Sequence, residues 1–223
     1  IKDFMGSKST QQKLIDRMGL AAGADLRTKL RSTYDWLLAN VQNQDLMTKE
    51  ERAKFLADVN ERRRGRKEFV VSAFDVVNKG HGTRKQLADL YAGLARALGA
   101  EAYLVKAVDR TERFFKPEIF TQDQFDSFFI EVHLPGESKP LYLDPGNGMP
   151  FGQIAWWLSG VSAFKSTPGG AQVIKAPTAP AAENQIKTVT QIDFVDDNEV
   201  MEVSYSVQGA GQAMLRSRLD LRK

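Results

Sequence analysis

The chain has 223 residues, of which 42% are hydrophobic and 26% charged, and its net charge is +3. These values are ordinary for a folded globular protein with one core, or with one core and a small second unit. The absence of cysteine excludes disulfides, thiol chemistry and thiolate metal sites, and two distant histidines argue against a zinc site. We therefore predict no cofactor and no metal. The longest apolar stretch, 154–158, is too short to span a bilayer, so no membrane insertion by this segment is expected.

The first half of the sequence has helical periodicity. Apolar residues at helical spacing predict an amphipathic helix over 25–42. A second helix is expected to open at Thr48, with Glu51 completing a capping box, and to run to about Arg62. A third covers 68–78 and is ended by the glycines that follow it.

A basic run within the same half places five lysine or arginine residues in 61–67. It has no interleaved aromatic pair and no nucleic-acid motif around it. We therefore interpret it as a solvated helix end or loop and predict no nucleic-acid partner.

Thr83 is the expected N-cap of the next helix, which carries a buried apolar stripe and ends at Gly99. The period then changes, and strands are predicted over 102–108, 128–134 and 140–143. An exposed connection is expected at 113–124.

The composition suggests three parts: a core over 1–165, a linker over 166–185 that is rich in Pro and Gly, and the start of a β-rich module over 186–223. In the last part, 187–194 and 200–207 alternate as a hairpin around a turn at 196–198, and 209–222 has helical spacing.

Three phrases carry a family resemblance. The helix after Thr83 runs into Leu-Ala-Arg-Ala-Leu-Gly-Ala-Glu-Ala over 94–102, the second strand begins Phe-Asp-Ser-Phe-Phe-Ile-Glu-Val over 125–132, and the third ends in Leu-Tyr-Leu-Asp-Pro-Gly over 141–146. Their order and spacing resemble the active-site region of the transglutaminase-like superfamily over roughly residues 25–144. The resemblance implies an α+β fold, in which N-terminal helices pack on an antiparallel sheet as in papain-like cysteine enzymes, followed by a small β-rich unit.

In that family a cysteine, a histidine and an aspartate form the catalytic triad, and the resemblance places these positions at Arg84, Ser127 and Asp144. Arginine cannot act as a nucleophile because its guanidinium stays protonated, and serine cannot serve as the base near neutral pH. Only Asp144 is kept. The sequence therefore predicts a catalytically degenerate member of the family, a pseudoenzyme.

The two histidines are poor replacements for the missing base. His133 lies six residues beyond Ser127 on the same predicted strand, about 20 Å away. His81 precedes Arg84 by three residues and is better placed, but no thiol exists for it to activate.

Three arrangements of the former catalytic cleft are open. Arg84 could bridge to Asp144; the amides after Thr83 could join Arg84, Lys85 and His81 in an anion site; or both basic side chains could turn into water. Trp156 and Trp157 could line a ligand groove or belong to the core.

The resulting functional prediction is a non-catalytic module that binds a protein or peptide, or acts as a scaffold, because the family's cleft accepts extended peptides. The chain begins at Ile1 without an initiator methionine, so we expect it to belong to a larger bacterial protein. The resemblance implies a periplasmic or cell-envelope location. The alternatives are a hydrolase or acyltransferase that uses Ser127, Asp144 and His81, and a purely structural spacer.

Overall fold

The protein is an α+β structure with helices on a mostly antiparallel sheet. The computed structural model describes residues 1–51, 53–54, 57, 72–116, 118, 121, 124–178, 182, 185–195 and 198–208. Four predicted features lie wholly or partly outside this part: the basic run 61–67, the end of the helix that opens at Thr48 together with the start of the helix 68–78, the turn at 196–198, and the helical stretch 209–222. None of the described helices combines the length and apolar character that a membrane crossing requires.

Five α-helices have both ends in the described part: α1 Lys2–Met5, α2 Lys8–Arg17, α3 Leu26–Asn40, α4 Ala73–Lys79 and α5 Arg84–Ala97. The predicted capping box is confirmed, since Thr48 N donates to Glu51 Oε2 at 2.8 Å and Glu51 N to Thr48 Oγ1 at 3.2 Å. Asp25 caps α3 by accepting from Thr28 N, because its short carboxylate reaches the free amides of the first turn.

The helix α5 is the centre of the hydrophobic core. All of its residues from Leu87 to Ala95 are buried, which requires close neighbours on several sides. At Gly93 a Cβ atom would lie 2.3 Å from Met5 Cγ. The missing side chain is therefore what lets α1 pack directly on α5.

The main sheet has five antiparallel strands in the order β5-β4-β3-β6-β7. Their bounds are β3 Glu101–Ala107, β4 Ser127–His133, β5 Leu141–Leu143, β6 Ser162–Thr167 and β7 Gly170–Lys175. The predicted order of one helix followed by three antiparallel strands is thus confirmed. A short parallel pair, β1 Gln42–Asn43 with β2 His81–Gly82, lies before α5.

The linker prediction for 166–185 is wrong over its first ten residues. Thr167 pairs with Gly170 across a tight turn, and β7 then follows β6 as an edge strand up to Lys175. Gly170 has a φ of 117°, which only glycine adopts readily. The Pro-Gly-Gly sequence that suggested a linker therefore makes a hairpin turn, and the core sheet extends past residue 165.

The two faces of the sheet have different coverings. Leu104, Ile130 and Val132 belong to the cluster that α5 dominates. Val105 and Phe129, on the opposite face, pack with Met149, Ile154 and Leu158 from the segment after β5. The alternation of side chains along β3 and β4 explains this division.

The predicted hairpin near the C-terminus is confirmed as β8 Ile186–Val195 paired with β9 Asn198–Val207. Six large apolar side chains on it are about half exposed or more: Ile186, Val189, Ile192, Val200, Met201 and Tyr205. Whether this hairpin begins a larger β-rich module stays a prediction.

Candidate functional site

The N-terminus of α5, where the family's nucleophile would stand, is closed by two internal caps. Thr83 Oγ1 accepts from Gln86 N at 3.1 Å, and Gln86 Oε1 accepts from Thr83 N at 2.8 Å, which completes a capping box. Arg84, the first helical residue, donates its backbone amide to Asp45 Oδ2 at 3.0 Å. A carboxylate of the chain itself therefore occupies the position where an external anion was expected.

Asp45 belongs to a short strap, residues 42–46, which consists of β1 and one 3₁₀ turn. The strap is fixed to β2 by parallel pairing, and Asn43 Oδ1 accepts from Asp45 N at 2.8 Å. The amide group of Asn43 donates in turn to Gly146 O at 2.5 Å. The strap thus ties the start of α5 to the turn that follows β5.

Asp144, the aspartate that the resemblance keeps, is completely buried at the end of β5. Its Oδ1 accepts from Asn147 N at 3.1 Å, and its Oδ2 accepts from Asn147 Nδ2 at 2.8 Å and Ala155 N at 3.2 Å. Burial raises the pKa of Asp144 to about 6, although these hydrogen bonds and the nearby Arg84 charge act in the opposite direction. The carboxylate is therefore mostly ionised at neutral pH and organises the 3₁₀ helix Pro145–Asn147.

Arg84 and Asp144 come into the same region without forming an ion pair. A Cβ atom on Gly146 would lie 3.0 Å from Arg84 O and 3.2 Å from Arg84 Cα, so the turn after β5 packs against the backbone of the helix start. The three groups that donate hydrogen bonds to the Asp144 carboxylate are N–H groups of Asn147 and Ala155. Arg84 Nε is buried and makes no hydrogen bond. The direct Arg84–Asp144 bridge is thus not formed.

Ser127, at the position of the family's histidine, is buried at the first residue of β4. Since Leu143 pairs with Ile130, the chain after β5 runs toward the Ser127 end of β4. The structure therefore brings Ser127 and Asp144 to one end of the sheet, but the Asp144 oxygens accept hydrogen bonds from other residues.

The remaining predicted site residues have separate environments. His81 is partly buried in β2, three residues before Arg84. His133 lies at the far end of β4, where its Nε2 is 2.6 Å from Glu131 Oε1. Lys85 turns along the helix and pairs with Asp89 Oδ2 at 2.5 Å. In the predicted anion site, the Arg84 amide is therefore already bound by Asp45, and the Lys85 ammonium is paired with Asp89.

Trp156 and Trp157 have different environments. Trp157 packs against the buried cluster under the sheet, whereas Trp156 is 36% exposed and its ring is 5.4 Å from the Arg110 guanidinium carbon. The two rings meet edge to face at 5.9 Å. Trp157 thus belongs to the core, and a role of Trp156 in a ligand groove stays a prediction.

A second polar cluster lies on the face of the sheet opposite α5, around Glu131. The Glu131 side chain is 4% exposed and contacts both His133 Nε2 and Lys165 Nζ, the latter at 2.9 Å. Tyr103 and Tyr142 are its cross-strand neighbours on β3 and β5. Sequence reasoning missed this cluster because its members come from four strands and only the register brings them together.

Sequence reasoning also missed Asn43, Asp45 and Asn147, which hold the site together. Asn147 had a usable signal, because an Asp-Pro-Gly-Asn phrase is typical of a turn stabilised by its own side chains. Asn43 and Asp45 act across long sequence separations and had none. Among the residues with known placement, no three His, Asp or Glu side chains converge in a way that could hold a metal ion.

One solved structure is similar to this chain over most of its length. No protein-family model matches the sequence, and no curated protein is detectably similar to it. Among solved structures, the chain is similar to one named "putative protease" from Parabacteroides distasonis, with a TM-score of 0.48 and 14% sequence identity. The similarity covers 82% of this chain and 32% of the other, so the chain spans about a third of that protein.

Proposed function

We propose that this chain is a non-catalytic domain of the transglutaminase-like type that binds a protein or peptide inside a larger bacterial envelope protein. The observation that carries the proposal is the start of α5. The position of the nucleophile is Arg84, its amide is bound by Asp45, and no cysteine exists anywhere in the chain. A reactive thiol needs a free helix N-terminus or a neighbouring cation, and here the thiol itself is missing.

The position of the base supports the same proposal. Ser127 is buried, and Asp144, which would orient a base, accepts three hydrogen bonds from its own turn and from Ala155. A fold kept without these functions can still present a surface to a partner. Arg84 is the natural residue to test, because it stands where the family's cleft would receive a peptide.

The first experiment tests for catalysis. We expect purified protein to turn over neither peptide amides nor esters in a chromogenic substrate panel, with or without Ser127→Ala. Turnover by the unmodified chain that disappears in Ser127→Ala would establish the hydrolase alternative instead.

The second experiment separates binding from spacing. Partners captured by the full-length parent protein are compared with those captured by its Arg84→Glu variant. The control variant is Lys139→Glu, which makes the same change of charge at an exposed residue between β4 and β5. We expect Arg84→Glu to lose at least one partner that Lys139→Glu retains. Retention of every partner by both variants would indicate a spacer.

A further inference from the structure

A groove runs along the flank of α5. Its volume is about 810 Å³, which is within the range of ligand-binding clefts. One wall is formed by Lys85, Asp89 and Arg96, and the opposite side by β3 and the β6–β7 turn. The groove lies beside the helix, whereas the former catalytic cleft lies at its N-terminus.

The groove combines an apolar floor with a basic rim. Ala102 and Leu104 are buried beneath it, with 1% and 6% of their surface exposed. The charged side chains that line it are Lys2, Lys85, Arg96, Lys106, Asp89 and Glu101. The excess of cations over carboxylates favours an anionic ligand, and the floor favours one with some apolar surface.

The spacing of the cations indicates an extended ligand. The Lys85 ammonium lies beside Asp89, and Asp89 and Arg96 are seven residues apart on α5, which corresponds to about 10 Å at 1.5 Å per residue. A single phosphate or carboxylate is too small to contact both cations in these positions. A peptide in extended conformation covers this distance with about three residues.

Asp89 adds a second requirement on the ligand. It is 5% exposed, and its Oδ2 is bound to Lys85 Nζ, but its Oδ1 has no hydrogen-bond partner. A buried acceptor left without a partner costs about 1–3 kcal/mol. Because this oxygen is closed to solvent, an N–H group of a ligand would reach it only after a neighbouring side chain moved, and main-chain amides of a peptide supply such groups at regular intervals.

We infer that this groove binds a short, extended, acidic peptide segment of a partner protein. Acidic side chains meet the lysines and Arg96, main-chain N–H groups reach toward Asp89, and apolar side chains lie on Leu104. Arg96 is preset for this role because its Nε donates to Ala102 O at 2.7 Å, which fixes the guanidinium at one end. The inference rests on the proposed function only in taking the chain to be a protein-binding module.

The test measures binding of a fluorescein-labelled acidic peptide, rich in Glu and Leu, to the intact chain by fluorescence anisotropy. We expect saturable binding that the double variant Lys2→Glu/Lys106→Glu weakens by at least about tenfold, while Lys139→Glu, an exposed lysine outside the groove, has little effect. A peptide with Gln in place of Glu should bind at least about tenfold more weakly than the acidic one. Thermal unfolding of each variant shows that the fold is intact.

Three results would overturn the inference: no saturable binding, equal weakening by Lys139→Glu, or displacement of the peptide by an equal concentration of inorganic phosphate, which would indicate a small-anion site. Loss of binding in Arg84→Glu with full binding in the groove variant would also overturn it, but would support the proposed function at the former cleft. The two proposals can therefore fail separately.

Discussion

Asp144 has a full set of hydrogen bonds within its own segment of the chain. In the family that the chain resembles, this aspartate orients a histidine. Here its oxygens accept from Asn147 and Ala155, two residues that follow it in the chain. The carboxylate therefore has a structural role that depends on no other member of a triad.

The titration of Asp144 predicts a pH dependence of stability. Its pKa is about 6 in the folded protein against 3.8 for an ordinary aspartate, so the folded state binds the proton more readily between these values. Its contribution to the free energy of unfolding is therefore complete below about pH 4 and is lost as the pH rises through about 6, by about 3 kcal/mol.

Urea denaturation of the unmodified chain and of Asp144→Ala at several pH values measures this contribution as the difference between the two curves. A difference that stays constant from pH 4 to pH 7 would contradict the shifted pKa. If Asp144→Ala does not fold, the carbon-13 chemical shift of the Asp144 carboxyl group reports the same titration.

Gly146 allows the closest approach between the turn after β5 and α5. We expect Gly146→Ala to lower the free energy of unfolding by about 1–3 kcal/mol, because the new methyl group would meet backbone atoms of Arg84 that cannot turn aside. Gly23→Ala is the matched control, since a Cβ there meets nothing within 4 Å. Thermal or urea unfolding measures both, and an equal effect of the two substitutions would argue against the close contact.

At the scale of elements, the strap 42–46 is a short segment that contacts three parts of the site. Gln42 and Asn43 pair with β2, Asn43 donates to the turn after β5, and Asp45 accepts from the start of α5. These contacts join segments far apart in sequence, and so the strap fixes how α5 is placed on the sheet.

Two substitutions at Asp45 separate its charge from its hydrogen bond. Asp45→Ala removes both the acceptor for Arg84 N and the negative charge at the helix N-terminus, and should cost about 1–2 kcal/mol. Asp45→Asn keeps an acceptor and should cost roughly half as much. The measurement is urea denaturation at low and high salt, and a salt-independent loss that is equal in both variants would contradict a charge effect.

Elements governed by local rules could be predicted from the sequence, and those governed by tertiary pairing could not. The caps Thr48 and Thr83 depend on residues three positions away, and both are confirmed. The linker prediction over 166–185 includes the end of β6 and all of β7, because short polar and small residues carry little β-signal. Only the pairing of β6 with β3 and of β7 with β6 makes this segment part of the sheet. The strap was missed for the same reason.

At the scale of the whole molecule, the Glu131 cluster adds side-chain contacts between strands that backbone pairing already joins in one sheet. Lys165 on β6 reaches Glu131 on β4 across the intervening β3, and its ammonium lies 5.2 Å from the centre of the Tyr103 ring. The two charged side chains are 4% and 14% exposed, so their attraction is only weakly screened by solvent. The pair thus holds the edge hairpin β6–β7 to the central strands.

A double-mutant cycle measures this coupling. Lys165→Met should cost about 3 kcal/mol, because it leaves a buried carboxylate with fewer partners, while the double variant with Glu131→Gln should cost less than the sum of the two single changes. The exposed pair Arg27–Glu137 is the control, with a coupling of about 1 kcal/mol or less. Equal coupling in the two pairs would contradict the role assigned to the buried one.

The candidate site could be predicted in position but not in contacts. The resemblance placed Arg84, Ser127 and Asp144, and the structure brings all three to the junction of α5 with one end of the sheet. The partners of these residues depend on the strap and on the turn after β5, whose positions follow from packing. Sequence spacing therefore indicated which three segments to compare. The hydrogen bonds that Asn43, Asp45 and Asn147 make there could be read only from the three-dimensional structure.

The carboxylate of Asp45 also determines how reactive a thiol introduced at the start of α5 would be. A cysteine introduced by Arg84→Cys would begin the helix beside a fixed negative charge, which raises the pKa of a thiol. We expect Arg84→Cys to react slowly with iodoacetamide at neutral pH, and Arg84→Cys/Asp45→Asn to react several-fold faster. A reactive thiol at the start of α5 therefore requires two changes, a cysteine at position 84 and the removal of the Asp45 charge. The cysteine alone would give a thiol that reacts slowly.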